Sequence, residues 1–269
     1  MASEAALPST ATTSFVSVER DGPLTVVTLA RPESLNALHT AAHNELAAVF
    51  DDFATDPDQW VAIITGAGRA FCAGNDLKYQ AAGGSLDRPP SGFGGLTSRF
   101  DLNKPVIAAV NGLAMGGGFE IALSCDIVVA AEDAQFAFPE PRVGMAALAS
   151  GLHRLPRTIG WQAAMGIILT GRRLSAEEGR QLGFINEVVP REEVMTAARR
   201  WAEQILECSP LAVRAAKEIA REGLNHGSLE QAIAGQRGGG ALRAMLASED
   251  YREGPRAFAE KRRPQWTGR

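Results

Sequence analysis

The chain has 269 residues, 45% apolar and 22% charged, which fits one large globular domain, or a domain with an appendage, whose core needs no staples. A net charge of −4 offers no basic surface to nucleic acid, and no apolar run reaches the length that spans a bilayer. The cysteines (Cys72, Cys125, Cys208) and histidines (His39, His43, His153, His226) show no metal-ligand spacing, so no metal site is expected and a reducing, cytoplasmic setting fits best.

Residues 1–14 lack Lys and Arg, fit neither a secretory signal nor a transit peptide, and read as a disordered tail. Phe15–Glu19 and Leu24–Leu29 read as strands of a hairpin turned at Asp21-Gly22-Pro23. A loop from Arg31 to Leu38 precedes a helix over His39–Ala54, with His39 and His43 on its surface. Val61–Thr65 is nearly all apolar, as in a strand buried on both faces. A glycine-rich stretch, Gly66–Lys78, then offers bare backbone at Ala73-Gly74-Asn75. Positions 79–100 have little apolar periodicity and read as a lid or binding loop.

A strand over Pro105–Val110 leads into Gly116-Gly117-Gly118 and then Phe119-Glu120, the start of a helix. Glycines at such a junction let a ligand approach the backbone. The first N–H groups of the helix lack intrahelical partners and can stabilise negative charge on a carbonyl oxygen. Glu120 sits in that first turn, and Glu140 follows a further strand over Ile127–Ala131. The bland alternative is that the glycines form a turn and Glu120 is a surface carboxylate favoured by the helix dipole. Neither the phosphate-loop nor the dinucleotide glycine pattern is met.

Pro141–Gly151 reads as a loop, followed by a helix around Ile159–Met165. A capping box at Ser175–Glu178 opens a helix ending near Gly183, and Phe184–Val189 is the last strand. Helices alone follow, over Glu192–Leu206, Pro210–Leu224, Ser228–Ser248 and Gly254–Arg262. The layout is an α/β core over 15–190 and a helical region over 191–269. Val194, Ala198, Trp201, Ile205, Leu211 and Val213 are apolar positions that a single subunit is not expected to bury in full.

Several segments, in order, carry a family resemblance. They are Arg31-Pro32, Asn36–Leu38, Ala70–Lys78, Pro105–Gly112, Gly116–Glu120, Cys125-Asp126, Phe138–Glu140, Leu155–Arg157, Leu169–Arg172, Glu249–Gly254 and Ala257–Arg262. With them the chain resembles the enoyl-CoA hydratase/isomerase, or crotonase, family, closest in look to its carnitinyl-CoA dehydratase-type members. The resemblance implies a spiral of ββα units with a helical C-terminal trimerisation region, assembled as a homotrimer or dimer of trimers. It implies an acyl-CoA thioester as ligand and no further cofactor. It makes the Asn75 and Gly117 N–H groups the oxyanion hole, and Glu120 and Glu140 the catalytic pair. It sets CoA along Ala73, Asp76, Leu77 and Lys78, with Phe258 and Lys261 reaching it from a neighbouring subunit.

The implied activity is hydration of a 2-enoyl-CoA thioester or the reverse dehydration, since two carboxylates can divide base and acid roles around one water. A double-bond isomerase of the same fold and a non-catalytic, RNA-binding relative are the alternatives; the net charge and the intact carboxylate pair weigh against the latter. Three departures from the family pattern stand out. Ala147–Leu152 replaces a glycine-rich loop on the acyl side, Asn75 replaces the usual Ala, and Glu33 stands where Lys is frequent.

Overall fold

The computed structural model describes residues 14–85 and 87–269. Apart from Ser14, the tail expected over 1–14 lies outside them. The hairpin expected at the start is present as β1 (Val16–Asp21) and β2 (Leu24–Leu29), paired antiparallel. Helix α1 (Thr40–Thr55) follows, with the His39 side chain accepting from the Ala42 N–H at its start.

Strand pairs then alternate with helices. β3 (Val61–Gly66) and β4 (Ala70–Cys72) lead into α2 (Leu77–Ala81). β5 (Val106–Val110) and β6 (Leu113–Met115) lead into α3 (Gly117–Ser124). β7 (Ile127–Ala131) and β8 (Gln135–Ala137) lead into α4 (Gly151–Ile159) and α5 (Trp161–Ile168). β9 (Leu174–Ser175), α6 (Ala176–Leu182) and β10 (Glu187–Val189) complete the strands. In each unit the first strand joins one sheet, ordered β1-β2-β3-β5-β7-β10, and the second joins another, ordered β4-β6-β8-β9. The chain therefore winds as a ββα spiral. Parallel pairing from β2 through β10 in the larger sheet explains why β3 and β5 are apolar and buried along their whole length.

Helix α7 (Val194–Leu206) packs across β3, β5 and β7. Val194 and Ala198 are accordingly buried within the subunit, so these two positions are not left for an assembly to cover. Exposed apolar side chains of the helical region lie further on, past α8 (Pro210–Gly223), among them Leu224, Leu229, Ile233 and Leu246. The single helix expected over Ser228–Ser248 is broken into α9 (Leu229–Gly235), a short 3-10 turn and α10 (Gly240–Ala247), because Gly235 and Gly238–Gly240 fall inside it. Helix α11 (Glu249–Ala259) starts five residues earlier than expected, capped by Ser248. Gly160, with φ 84°, likewise separates α4 from α5.

Two further expectations fail. His43 is buried rather than on the surface, and its Nδ1 accepts from the Gly94 N–H at 3.1 Å. Phe93–Thr97 is buried too, packed on α1, so this part of the 79–100 stretch is core and not lid. Its apolar residues are too few to show a period, yet Phe93 fills one specific gap.

The turn after β2 is held by Asn36, fully buried with φ 57°. Its Oδ1 accepts from the Arg31 N–H at 2.9 Å, and its Nδ2 donates to the carbonyls of Ala67 at 2.9 Å and Ala70 at 2.8 Å. Asn tolerates this left-handed conformation, and buried polar groups stripped of a partner are costly. Asn36→Ala is expected to lower unfolding free energy by about 3 kcal/mol in urea titrations. Glu33→Ala, on the exposed rim of the same turn, should stay within about ±0.5 kcal/mol.

Candidate active site

Strand pairing brings two stretches of backbone together. Cys72 of β4 lies opposite Ala114 of β6, so the residues just beyond each strand are neighbours. Gly74 has φ 90°, and a Cβ there would stand 2.8 Å from the Met115 carbonyl oxygen and 3.2 Å from the Gly117 nitrogen. Only glycine permits both the conformation and the approach.

The backbone donors in this contact can be accounted for one by one. Ala73 N–H donates to the Leu35 carbonyl at 3.0 Å and Asp76 N–H to the Leu38 carbonyl at 2.9 Å. Gly74 N–H faces Cys72 Sγ at 3.4 Å. Gly116 N–H donates to the Ala137 carbonyl at 2.9 Å. Asn75 N–H and Gly117 N–H have no partner among the described residues. The first is left over by the bridge between Leu38 and Asn75; the second opens α3 and has no preceding turn to donate to. The Phe93 ring fills the space where a Gly117 side chain would stand.

The two carboxylates arrive at this contact from different elements. Glu120 is 2% exposed in the first turn of α3, and its Oε1 accepts from the Gly151 N–H at 2.8 Å. Its helix is fixed by Phe119, whose ring lies 4.7 Å from Phe138, 5.1 Å from Phe184 and 5.3 Å from Phe136. Glu140 opens a 3-10 turn just after Phe138. Its Oε1 would be 2.5 Å from a Cβ at Gly116, which has φ 52°, so the glycine makes room for the carboxylate. Glu140 Oε2 is buried with no partner among the described residues.

Burial sets the electrostatics. It pushes the Glu120 carboxyl up to about 7, against the pull of the Gly151 N–H and with a further push from Glu140. Burial likewise raises Glu140. Two desolvated carboxyls that repel each other resist losing both protons at once, and Glu120, at about 7, can hold one near neutral pH.

Three contributors, and one neighbour of theirs, were not legible in the sequence. Gly151, in the stretch that replaces the glycine-rich loop, holds Glu120 through a backbone N–H. Phe93 backs Gly117. The His43 ring packs edge-on to Phe93 at 4.4 Å, and burial, Arg88 and His39 lower its pKa to about 4, keeping the imidazole neutral. Arg88 is half-buried, with its Cζ 5.2 Å from the Phe93 ring centroid.

The residues expected along CoA divide. Ala73, Asp76, Leu77 and Lys78 adjoin the contact in sequence and place. Asp76 is already engaged: its Oδ2 accepts from Arg31 at 3.0 Å and its Oδ1 from the Tyr79 N–H at 3.1 Å, capping α2. Leu77 and Lys78 are exposed on α2. Glu33 is exposed, with its nearest oxygen 3.9 Å from Arg31 Nε. Phe258, 88% exposed, and Lys261 are not brought to this place. Phe258 lies near the end of α11 and Lys261 just beyond it, and no hydrogen bond or ion pair joins either to Ala73–Lys78 among the described residues. Among the described residues no cluster of His, Cys, Asp or Glu could hold a metal, and no helix is long and apolar enough to cross a membrane.

Comparison with known proteins gives consistent results. The sequence profile of the family described as enoyl-CoA hydratase/isomerase matches residues 19–269. A carnitinyl-CoA dehydratase of Salmonella arizonae is 46% identical over 255 residues, covering 93% of this chain and 97% of that protein. One from Citrobacter koseri is 45% identical over 256 residues, with the same coverage. The crystal structure of an enoyl-CoA hydratase from Mycobacterium tuberculosis H37Rv superposes with a TM-score of 0.89 at 40% identity, covering 96% of this chain and all of that one.

The buried Glu120 carboxyl carries a stability cost with a definite sign. Its native pKa of about 7 exceeds the ordinary 4.5, so between these values the native state holds a proton that the unfolded chain has lost. Stability is then full below about pH 4.5 and falls as pH rises to about 7. Glu120→Gln keeps the acceptor for Gly151 and removes the titration. Thermal unfolding should show the variant more stable than wild type near pH 8, by up to about 3 kcal/mol, and nearly equal near pH 4. An equal difference at both pH values would contradict the assignment.

Proposed function

The chain belongs to the enoyl-CoA hydratase/isomerase, or crotonase, family and has its ββα-spiral fold, and from that premise we propose that it hydrates 2-enoyl-CoA thioesters or dehydrates 3-hydroxyacyl-CoA thioesters. The observation that carries the reading is the meeting of two buried carboxyls, Glu120 and Glu140, beside two N–H groups, of Asn75 and Gly117, that have no other partner. The thioester oxygen accepts from those two N–H groups. Water adds through its oxygen to the β-carbon and gives up a proton to the ionised carboxylate, and the protonated carboxyl delivers one to the α-carbon. The intermediate is enolate-like, and each oxyanion donor is worth about 2.7–4 kcal/mol of transition-state stabilisation. A pair that shares one proton suits either direction. Coenzyme A is part of the substrate, held along Ala73–Lys78, with Phe258 and Lys261 serving a neighbouring subunit's site.

A homotrimer or dimer of trimers fits the C-terminal region. Leu224, Leu229, Ile233 and Leu246 are exposed there, and the buried Arg214 Nε and Nη2 have no partner among the described residues. Sedimentation should give a trimer or a multiple of it; an active dilute monomer would contradict this.

Glu120→Gln and Glu140→Gln preserve shape and remove the titrating proton. Both variants are expected to bind a CoA thioester and to lose crotonyl-CoA hydration by at least about 10²-fold. If Glu120→Gln stays near wild type while Glu140→Gln is dead, isomerisation by a single carboxylate replaces hydration as the reading. If neither loses activity, the site lies elsewhere.

A further inference from the structure

We propose that Arg88 determines acyl-group specificity, selecting an acyl chain that carries a carboxylate over one that is neutral or cationic; the inference rests on the reading of this site as an acyl-CoA hydratase. Arg88 precedes the buried Phe93 segment, and its guanidinium lies over the Phe93 ring, 5.2 Å from the centroid. The same ring fills the space beside Gly117, so one aromatic ring separates the cation from an oxyanion donor. Its charge acts on both Glu120 and His43, and the His43 ring packs on the same Phe93.

Arg88, like Arg154 and Arg214, lacks an anion among the described residues, and it is the one stacked on the ring that backs Gly117. The half-buried arginines Arg31 and Arg99 pair with Asp76 and with Asp51. Arg88 forms no ion pair with any acidic side chain among the described residues, and its guanidinium stacks on an aromatic ring. Glu120 forms no ion pair with it among the described residues, and its Oε1 is held by the Gly151 N–H. A half-buried cation without a counterion is stabilised by an anionic ligand. A planar guanidinium, with its fork of donors, matches a carboxylate in two-point fashion.

The same charge repels a quaternary ammonium group in the acyl chain, so specificity here has an attractive and a repulsive side. A carnitinyl group, to which the names of the sequence relatives refer, carries such a cation and is disfavoured at this position. The phosphates of CoA are the other possible source of an anion. They are common to every thioester, so they would make Arg88 matter equally for all of them.

The test compares wild type, Arg88→Met and Arg88→Lys on crotonyl-CoA and on glutaconyl-CoA, which places a carboxylate beyond the double bond. Arg88→Met is expected to reduce kcat/KM for glutaconyl-CoA at least about tenfold, through KM, while crotonyl-CoA changes less than about threefold; Arg88→Lys should recover part of the preference. Calorimetry with the unreactive glutaryl-CoA and butyryl-CoA gives a readout independent of turnover. Glutaryl-CoA should bind Arg88→Met at least about tenfold more weakly than wild type, and butyryl-CoA equally well. If this binding difference appears but no thioester is hydrated, the proposed reaction fails and the specificity stands. An equal loss on both thioesters assigns Arg88 to CoA phosphate or to Glu120, and no loss on either makes it a surface cation; each result overturns the proposal.

Discussion

Backbone packed on backbone, where the chain leaves β4 and where α3 begins, is the constraint on which this site depends. Parallel strands sit about 4.8 Å apart, so pairing Cys72 with Ala114 forces the following residues of both segments into contact. A side chain at Gly74 would fill that contact, and the donors of Asn75 and Gly117 would no longer be bare. Around the contact, the Leu38 N–H holds the Gly74 carbonyl at 2.8 Å, Asn36 holds the preceding turn, and the Phe119 cluster anchors α3. Strands contributed to two different sheets by successive ββα units are what set this geometry.

The carboxyls follow from the same arrangement. Glu120 lies one turn from Gly116, and Glu140 reaches Gly116 from the strand on the other side of β6. Both are desolvated because the backbone and the aromatic cluster leave little room for water. Burial raises both, and with a further push from Glu140 it brings Glu120 to about 7, where a proton can be given and taken at neutral pH. The Gly151 N–H acts in the opposite sense on Glu120, so the pair is asymmetric even before a ligand enters.

Much of this was legible in the sequence, and the reasons are specific. Apolar runs such as Val61–Thr65 announce buried parallel strands, and the glycines at 74 and 116–118 announce bare backbone because few other roles require them together. Glu120 could be singled out because it follows those glycines. The glycine-rich stretch marked Ala73-Gly74-Asn75 as bare backbone, and the family resemblance gave Asn75 and Glu140 their roles. Other parts depend on contacts between distant residues. His43 sits at helical spacing from His39 and looked like a surface residue, yet it is buried by Phe93, far along the chain. Phe93 and Arg88 belong to a stretch with no periodicity. The hold on Glu120 comes from a backbone N–H, which every residue but proline has, so no residue type could have signalled it. The expected long helix over Ser228–Ser248 failed for a local reason, the glycines within it.

The central claim is that the Asn75 and Gly117 N–H groups receive a thioester oxygen, and the infrared spectrum of a bound thioester tests it directly. An enoyl-CoA labelled with ¹³C at its carbonyl, bound to the Glu120→Gln variant to prevent turnover, isolates that one stretching band. The account predicts a band at lower frequency than for the free thioester in water, because two preorganised donors polarise the carbonyl more than solvent does. A band at the free-solution position, with binding verified in the same sample, would contradict it.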